Sequence, residues 1–303
     1  MSESIEGLQR QIASATDLQS VVRTMKAIAA ASIGQYEQSV RALADYDRAV
    51  ALGLGACLRA LGPAGRRGRP GRRGGAAVVN AIVFGSDQGL VGQFNEVVAE
   101  RAIAALARRA RAPRVWAVGE RVHARLADAG LAPTACLAVP TSVKRVAPLV
   151  GRILVDGQRR GWLDADAELR LFHNRPSTGA AYECVEQRLL PLDDDWRRAR
   201  AALAWPTKHL PEVAGGGVAT LAALVGEHVF VSLFRACAES LASENASRLA
   251  AMDRADRNID ELVDGLRGRF HRLRQDGIDE ELFDVVAGFE ALVGDRSRAR
   301  PAP

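Results

Sequence analysis

Residues 3–61 read ESIEGLQRQIASATDLQSVVRTMKAIAAASIGQYEQSVRALADYDRAVALGLGACLRAL, and the spacing of their apolar side chains decides the fold. Ile5, Ile12, Ile33, Val40, Leu54 and Leu61 recur on one heptad track. Leu8, Ala15, Val22, Ala29, Tyr36, Leu43, Val50 and Cys57 occupy a second. Two such tracks form the seam of a coiled coil. No proline interrupts the run before Pro63, so one helix over Glu3–Leu61 is predicted, about 90 Å long at 1.5 Å per residue. Gln19, Lys26 and Asp47 fall on the first track, where a long coil would place Ile or Val. Either they fix register in a buried seam, or different partners sheathe the helix along its length.

The carboxyl end carries the matching series. Leu224, Val231, Phe234, Ala238 and Leu241 form one stripe; Leu249, Met252, Ile259, Val263, Leu266, Phe270 and Leu273 form the next. The phase slips between Leu241 and Leu249, which locally changes the supercoil. The helix is expected to continue through Gly277, although Gly277 followed by Asp279 could mark a break and a new cap.

Between the two series the period switches. Val78–Phe84, Arg114–Val118, Thr134–Val139, Glu168–His173 and Tyr182–Leu190 read as strands, with helices at Ala99–Ala110, Arg121–Ala129 and Val143–Arg160. Strand and helix alternating three times implies parallel crossovers in an open sheet. Gly62–Gly75 reads as a flexible loop, Pro191–Pro211 as an irregular return, and the acidic run Asp193–Asp195 as a solvated turn. Neither terminal helix can hide its seam alone, so the two are expected to pair antiparallel. The fold class expected is α/β with dominant helix: a long antiparallel coiled coil plus a Rossmann-like open sheet domain. The corresponding divisions are 1–61 for the first helix, 62–76 for a basic loop, 77–211 for the α/β domain, 212–294 for the second helix and 295–303 for a tail.

The formal net charge of +5 does not point to nucleic acid, because Arg66, Arg67, Arg69, Arg72 and Arg73 lie in one Gly/Pro-rich run and the rest is formally neutral. Cys57, Cys136, Cys184 and Cys237 form no CxxC pair and are expected to be free, mostly buried thiols. No basic n-region or apolar h-region opens the chain, which argues against export, and no segment is expected to span a bilayer.

Gly85-Ser86-Asp87-Gln88-Gly89-Leu90-Val91-Gly92-Gln93-Phe94-Asn95 follows the first strand, where a nucleotide loop would lie. It lacks both the GxGxxG and the GxxxxGK[ST] spacing, so no phosphate loop or cofactor is expected. Gly85, Gly89 and Gly92 read as residues that let the chain turn and pack against a helix. His123, His173, His209, His228 and His271 are isolated from one another, and neither a metal nor a catalytic centre emerges. Near the carboxyl end, Arg254, Arg257, Arg267, Arg269, Arg272 and Arg274 alternate with Asp253, Asp256, Asp260, Glu261 and Asp264. This is either a salt-bridged solvent face or a surface read by a partner's charged loops.

Three segments resemble the gamma subunit family of F-type ATP synthases: Leu18–Ala30, Ser86–Asn95 and Ala242–Met252, the last continued by Arg274-Gln275 and Ile278–Leu282. The resemblance covers nearly the whole chain. It departs from the family where Gln88 and Val91 replace the usual arginine and cysteine and where Asp279 replaces a threonine. Those departures, with Gln35-Tyr36-Glu37, point to a divergent lineage, the alternate sodium-type branch.

The resemblance implies a non-catalytic central rotor of a bacterial enzyme, seated in a ring of alpha and beta subunits. It also implies that the rotor touches an epsilon-type subunit and the membrane c-ring, on the cytoplasmic face of the inner membrane as a peripheral protein. It further implies that Met25 packs near Arg248, that Arg248 faces an acidic lever of beta, and that Arg274 and Gln275 grip a beta loop with Asp279 beside them. A Rossmann-like enzyme with helical arms would need the missing phosphate loop. A self-pairing coiled-coil adaptor conflicts with the polar positions Gln19, Lys26 and Asp47.

Overall fold

The computed structural model describes residues 4–62, 78–107, 111–162, 167–178, 181–209, 211–213 and 217–298. The expected loop with Arg66–Arg73, the last residues of the helix expected to reach Ala110, and the end of the tail lie outside them. The chain divides into two compact units, Met1–Ala27 with Met252–Pro303, and Ile28–Ala251.

Among the described residues the elements follow in the order α1 (Ile5–Ala60), β1 (Val79–Phe84), α2 (Phe94–Leu106), β2 (Arg114–Val118), α3 (Glu120–Asp128), β3 (Ala135–Leu137), a 3-10 turn (Val143–Arg145), α4 (Val146–Arg159), β4 (Glu168–Arg175), β5 (Glu183–Leu190), α5 (Asp194–Ala201) and α6 (Val218–Arg298). The protein is thus mainly helical, with a long helix at either end and a mixed sheet between, as its sequence pattern predicts. The sheet order is β3-β2-β1-β4-β5. β1 pairs in parallel with β2 and β4, β2 in parallel with β3, and β5 closes the edge antiparallel to β4.

Every residue of β1 is buried, and the period of two sorts them between two cores. Val79, Ala81 and Val83 pack with Val98, Ala102 and Leu106 of α2 and Val122 and Leu126 of α3. Ile82 and Phe84 face the other way, toward Val150 and Ile153 of α4 and Leu233, Cys237 and Leu241 of α6, with Tyr36 of α1 in the same cluster. Trp116 and Trp162 meet there with ring centroids 4.2 Å apart. Within the Ile28–Ala251 unit, α6 therefore works as a core helix on the sheet.

Several boundaries differ from expectation. α2 starts at Phe94 rather than Ala99, because the chain turns into the helix directly after Gly92. β3 is shorter than predicted and β4 longer. The return after Pro191 is not wholly irregular, since α5 occupies Asp194–Ala201. The acidic run read as a solvated turn is its start: Asp193 Oδ1 accepts from the Trp196 amide at 2.7 Å, and Asp194 and Asp195 sit in the first turn, where carboxylates oppose the helix dipole. Arg59 of α1 closes the other end, Nη1 donating to the carbonyls of Ala201 at 2.9 Å and Leu203 at 2.8 Å. Gly277 interrupts nothing, as α6 runs through it.

By length and composition, one stretch of α6 is apolar enough to cross a membrane. Its Val229, Val231, Leu233, Ala236 and Cys237 are buried in the protein's own interior.

Candidate functional site

The carboxyl ends of the parallel strands are where an open α/β sheet ordinarily binds its ligand. The loop after β1 uses its polar groups on the fold. Asn95 accepts from the Ser86 amide at 2.9 Å and donates to Ser86 Oγ at 2.8 Å, while Ser86 Oγ donates to the Gln88 carbonyl at 2.8 Å. Asp87 spreads its carboxylate over two neighbours, Oδ1 accepting from the Glu120 amide at 3.0 Å and Oδ2 from the Val139 amide at 2.9 Å. It thereby ties the loop to the start of α3 and the end of β3. Ser247 Oγ of α6 donates to the Val91 carbonyl at 2.5 Å.

The three glycines of this loop are unequal. A Cβ on Gly85 would stand 2.4 Å from Val122 Cβ and 2.7 Å from Asn95 Oδ1, so only glycine fits. Gly92 has φ +57°. Gly89 has no such need, since the neighbouring left-handed residue is Leu90, with φ 63°. Among the described residues, no group of three or more His, Cys, Asp or Glu could hold a metal ion. The cysteines carry no disulfide; Cys57 and Cys237 are buried, Cys184 is half-buried and Cys136 is exposed.

The helix surfaces are more informative. In the Met1–Ala27 and Met252–Pro303 unit, Leu8, Ala15 and Val22 of α1 and Met252, Ile259, Val263 and Leu266 of α6 are buried. The polar positions of the first track meet acids on α6. Gln19 Nε2 donates to Asp256 at 3.2 Å and to Asp260, Arg23 Nε pairs with Asp256 at 3.0 Å, and Lys26 pairs with Asp253. Rising numbers on α1 meet falling numbers on α6, so the strip enforces an antiparallel register. Asp253 lies low, at about 2, because it accepts hydrogen bonds from Lys26 and Arg257. In the other unit, Asp47 of α1 pairs with Arg235 of α6 at 2.7 Å, again antiparallel. Each polar interruption thus has a charged or acidic partner, which favours the register reading. The alternating charges on α6 divide accordingly, with Asp253, Asp256 and Asp260 turned to α1 while Arg254, Arg272 and Arg274 are exposed.

The slipped segment Leu241–Asn245 is buried around its whole circumference, because α6 is covered there from both sides. Arg248 does not project freely. Its side chain is 12% exposed and Nη2 donates to Glu244 Oε1 at 2.6 Å. Met25 is half-buried on α1, whereas Arg274, Gln275 and Asp279 are exposed on α6.

Sequence reasoning missed the surface farther along the same helix: Leu282, Phe283, Val285, Val286 and Phe289 are all exposed, Phe283 at 72%. The signal was present in the spacing, since Leu282, Val285, Val286 and Phe289 recur at intervals of three and four and form one apolar stripe.

The ATP synthase family model matches residues 4–292. The ATP synthase gamma chain of Geotalea uraniireducens is 25% identical over 297 residues, covering 96% of this chain and 99% of that one. That of Rhizorhabdus wittichii is 27% identical over 304 residues, covering 95% and 99%. Among solved structures, a chain of the Euglena gracilis mitochondrial ATP synthase OSCP/F1/c-ring in rotational state 3 aligns with a TM-score of 0.63 at 14% identity, over 98% of this chain and 97% of that one. A chain of the Tetrahymena thermophila central stalk and c-ring aligns at 0.54 and 19%, over 78% and 99%. At such identities these two likenesses speak for the fold.

Proposed function

Since this chain belongs to the ATP synthase gamma-chain family, we infer that it is the central-stalk rotor of an F-type enzyme, coupling ion flow through a membrane ring to nucleotide exchange in a ring of alpha and beta subunits. It performs no catalysis itself and belongs to the peripheral F1 portion of the complex. The observation that carries the reading is the exposed apolar end of α6, from Ile278 to Phe289. A contiguous apolar surface of this kind marks a contact with another protein. Ile278, Leu282, Val285, Val286 and Phe289 lie along one side of the helix, so this end is asymmetric about its own axis.

A shaft whose sides differ presents a different contact to each of three chemically identical neighbours. Each neighbour then favours a different nucleotide state, and linkage makes the relation reciprocal: nucleotide exchange biases shaft angle as shaft angle biases affinity. The α/β domain serves as the footing, toward an epsilon-type subunit and the c-ring, on the cytoplasmic face of a bacterial inner membrane. Arg274 and Gln275, with Asp279 beside them, are the residues proposed to meet a beta loop, and Met25 and Arg248 a second contact. A guanidinium gains specificity from planar, bidentate recognition of a carboxylate.

The test is Arg274→Ala with Gln275→Ala in the assembled enzyme. Coupled ATP synthesis or ring assembly is expected to fall while the melting temperature of the isolated chain stays unchanged. Full coupled synthesis in the double variant would sink the assignment of these residues. Failure of the wild-type chain to co-purify with a hexameric ATPase would sink the rotor reading itself.

A further inference from the structure

A cavity of about 220 Å³ lies wholly within the Ile28–Ala251 unit, between α1, the loop after β1, the end of β3 and α6. It is larger than the roughly 150 Å³ engineered cavity known to take benzene. Its walls divide by chemistry. Val139 and Leu241 supply apolar surface, and Tyr36, Asp87, Glu244 and Arg248 supply polar groups. Glu244 is the odd member. Its side chain is only 8% exposed, Oε1 is taken by Arg248, and Oε2 is buried with no hydrogen-bond partner among the described residues. A buried carboxylate oxygen left in this condition is costly. Burial pushes the Glu244 carboxyl up even though Arg248 pulls it down, so one guanidinium does not compensate the loss of water. Asp87 adds to the negative potential, since both its oxygens accept from backbone amides and no cation neutralises it in the contacts described above.

We propose that this cavity binds an aliphatic primary ammonium of about four carbons, its charged head held by the Glu244 carboxylate and its hydrocarbon lying against Val139 and Leu241. Charge selects the head: the lining carries two carboxylates against one guanidinium. Volume and apolar walls select the tail. A free alkylamine and a lysine side chain share this chemistry.

Titration of the full-length chain with n-butylammonium chloride, followed by calorimetry and saturation-transfer NMR, tests the site. Binding at least about tenfold tighter than that of 1-butanol is expected, 1.4 kcal/mol in binding free energy. Glu244→Gln should erase that preference. Should this variant fail to fold, Ser32→Trp decides, because it fills the cavity from its rim and leaves Glu244 and Arg248 in place; it should abolish binding of both probes. Nα-acetyl-lysine N-methylamide identifies the source: tighter binding than butylammonium assigns the site to a protein side chain, weaker binding to a free amine. Equal affinity for alcohol and amine, or binding that survives Ser32→Trp, overturns the proposal.

Discussion

Gly85 and Val122 touch: a Cβ placed on the glycine would lie 2.4 Å from the Cβ of the valine. The contact fastens the end of β1 to α3, and a β-branched side chain on a helix has one strongly preferred rotamer and cannot swing away. Gly85→Ala is therefore expected to lower unfolding free energy by about 1–3 kcal/mol, the usual cost of overpacking. Gly89→Ala, where nothing but a distant Arg121 tip is met at 3.8 Å, should be close to neutral. Urea denaturation of the two variants side by side checks the contrast, and equal losses would count against it.

Asp47 and Arg235 meet at 2.7 Å with side chains 26% and 39% exposed. Solvent screening discounts such a pair, so a double-mutant cycle with Asp47→Asn and Arg235→Gln should return a coupling of only about 0.5–1 kcal/mol. Its larger effect should fall on register. Asp47→Leu is expected to increase self-association of the chain, seen as a heavier species in analytical ultracentrifugation, because the α1 seam loses the charge that specifies Arg235 as its partner and becomes apolar there.

The acid limb of stability should show two separate steps. Burial, seconded by Arg200, lowers His228 from 6.5 to about 4. The unfolded chain therefore binds this proton more readily than the folded one. The stabilisation is complete above about pH 6.5 and drains away as pH falls toward 4, amounting to about 3 kcal/mol. His228→Phe, which retains a ring near Trp196, should flatten the melting profile between those values. Asp253, lowered from 3.8 to about 2, adds stability that is lost only below that window. Asp253→Asn should leave the His228 limb intact.

Thiol labelling separates the cysteines by environment. Cys136 is exposed, and should react in the native protein, slowly, because partial burial and then Asp87 and Glu120 raise its pKa. Cys57 and Cys237 are buried and should label only on unfolding. Fast native modification of more than one thiol would contradict this ordering.

How much of this was legible in the sequence follows from where each signal is local. Leu8, Ala15 and Val22 announce α1 by spacing alone, and the strands announce themselves through runs such as Asn80–Phe84. Partnership is not local. Nothing near Asp47 indicates Arg235, because their pairing depends on how two distant helices align. Asp193 misled for the opposite reason: an acidic run reads equally well as a solvated turn or a helix cap, and only the Trp196 amide decides. Arg248, which the resemblance implies lies at a partner contact, is mostly buried and paired with Glu244 four residues earlier. That spacing was visible, but its burial follows from the packing around α6.

The exposed end of α6 gives the last prediction. Phe283 and Phe289 are 72% and 68% exposed, with Leu282, Val285 and Val286 beside them. Such a patch is stable in water only when something covers it, and in the isolated chain the available cover is another copy of the same tip. The isolated protein should therefore self-associate with rising concentration, the more so at high salt, where charge repulsion is screened. Phe283→Ser with Phe289→Ser should yield a monomer by light scattering with an unchanged melting temperature, since neither ring is buried in the fold. The same variant should lose affinity for the alpha-beta ring if the tip is the socketed end of the shaft. A variant that stays aggregated in isolation yet assembles with full affinity would place the apolar contact elsewhere.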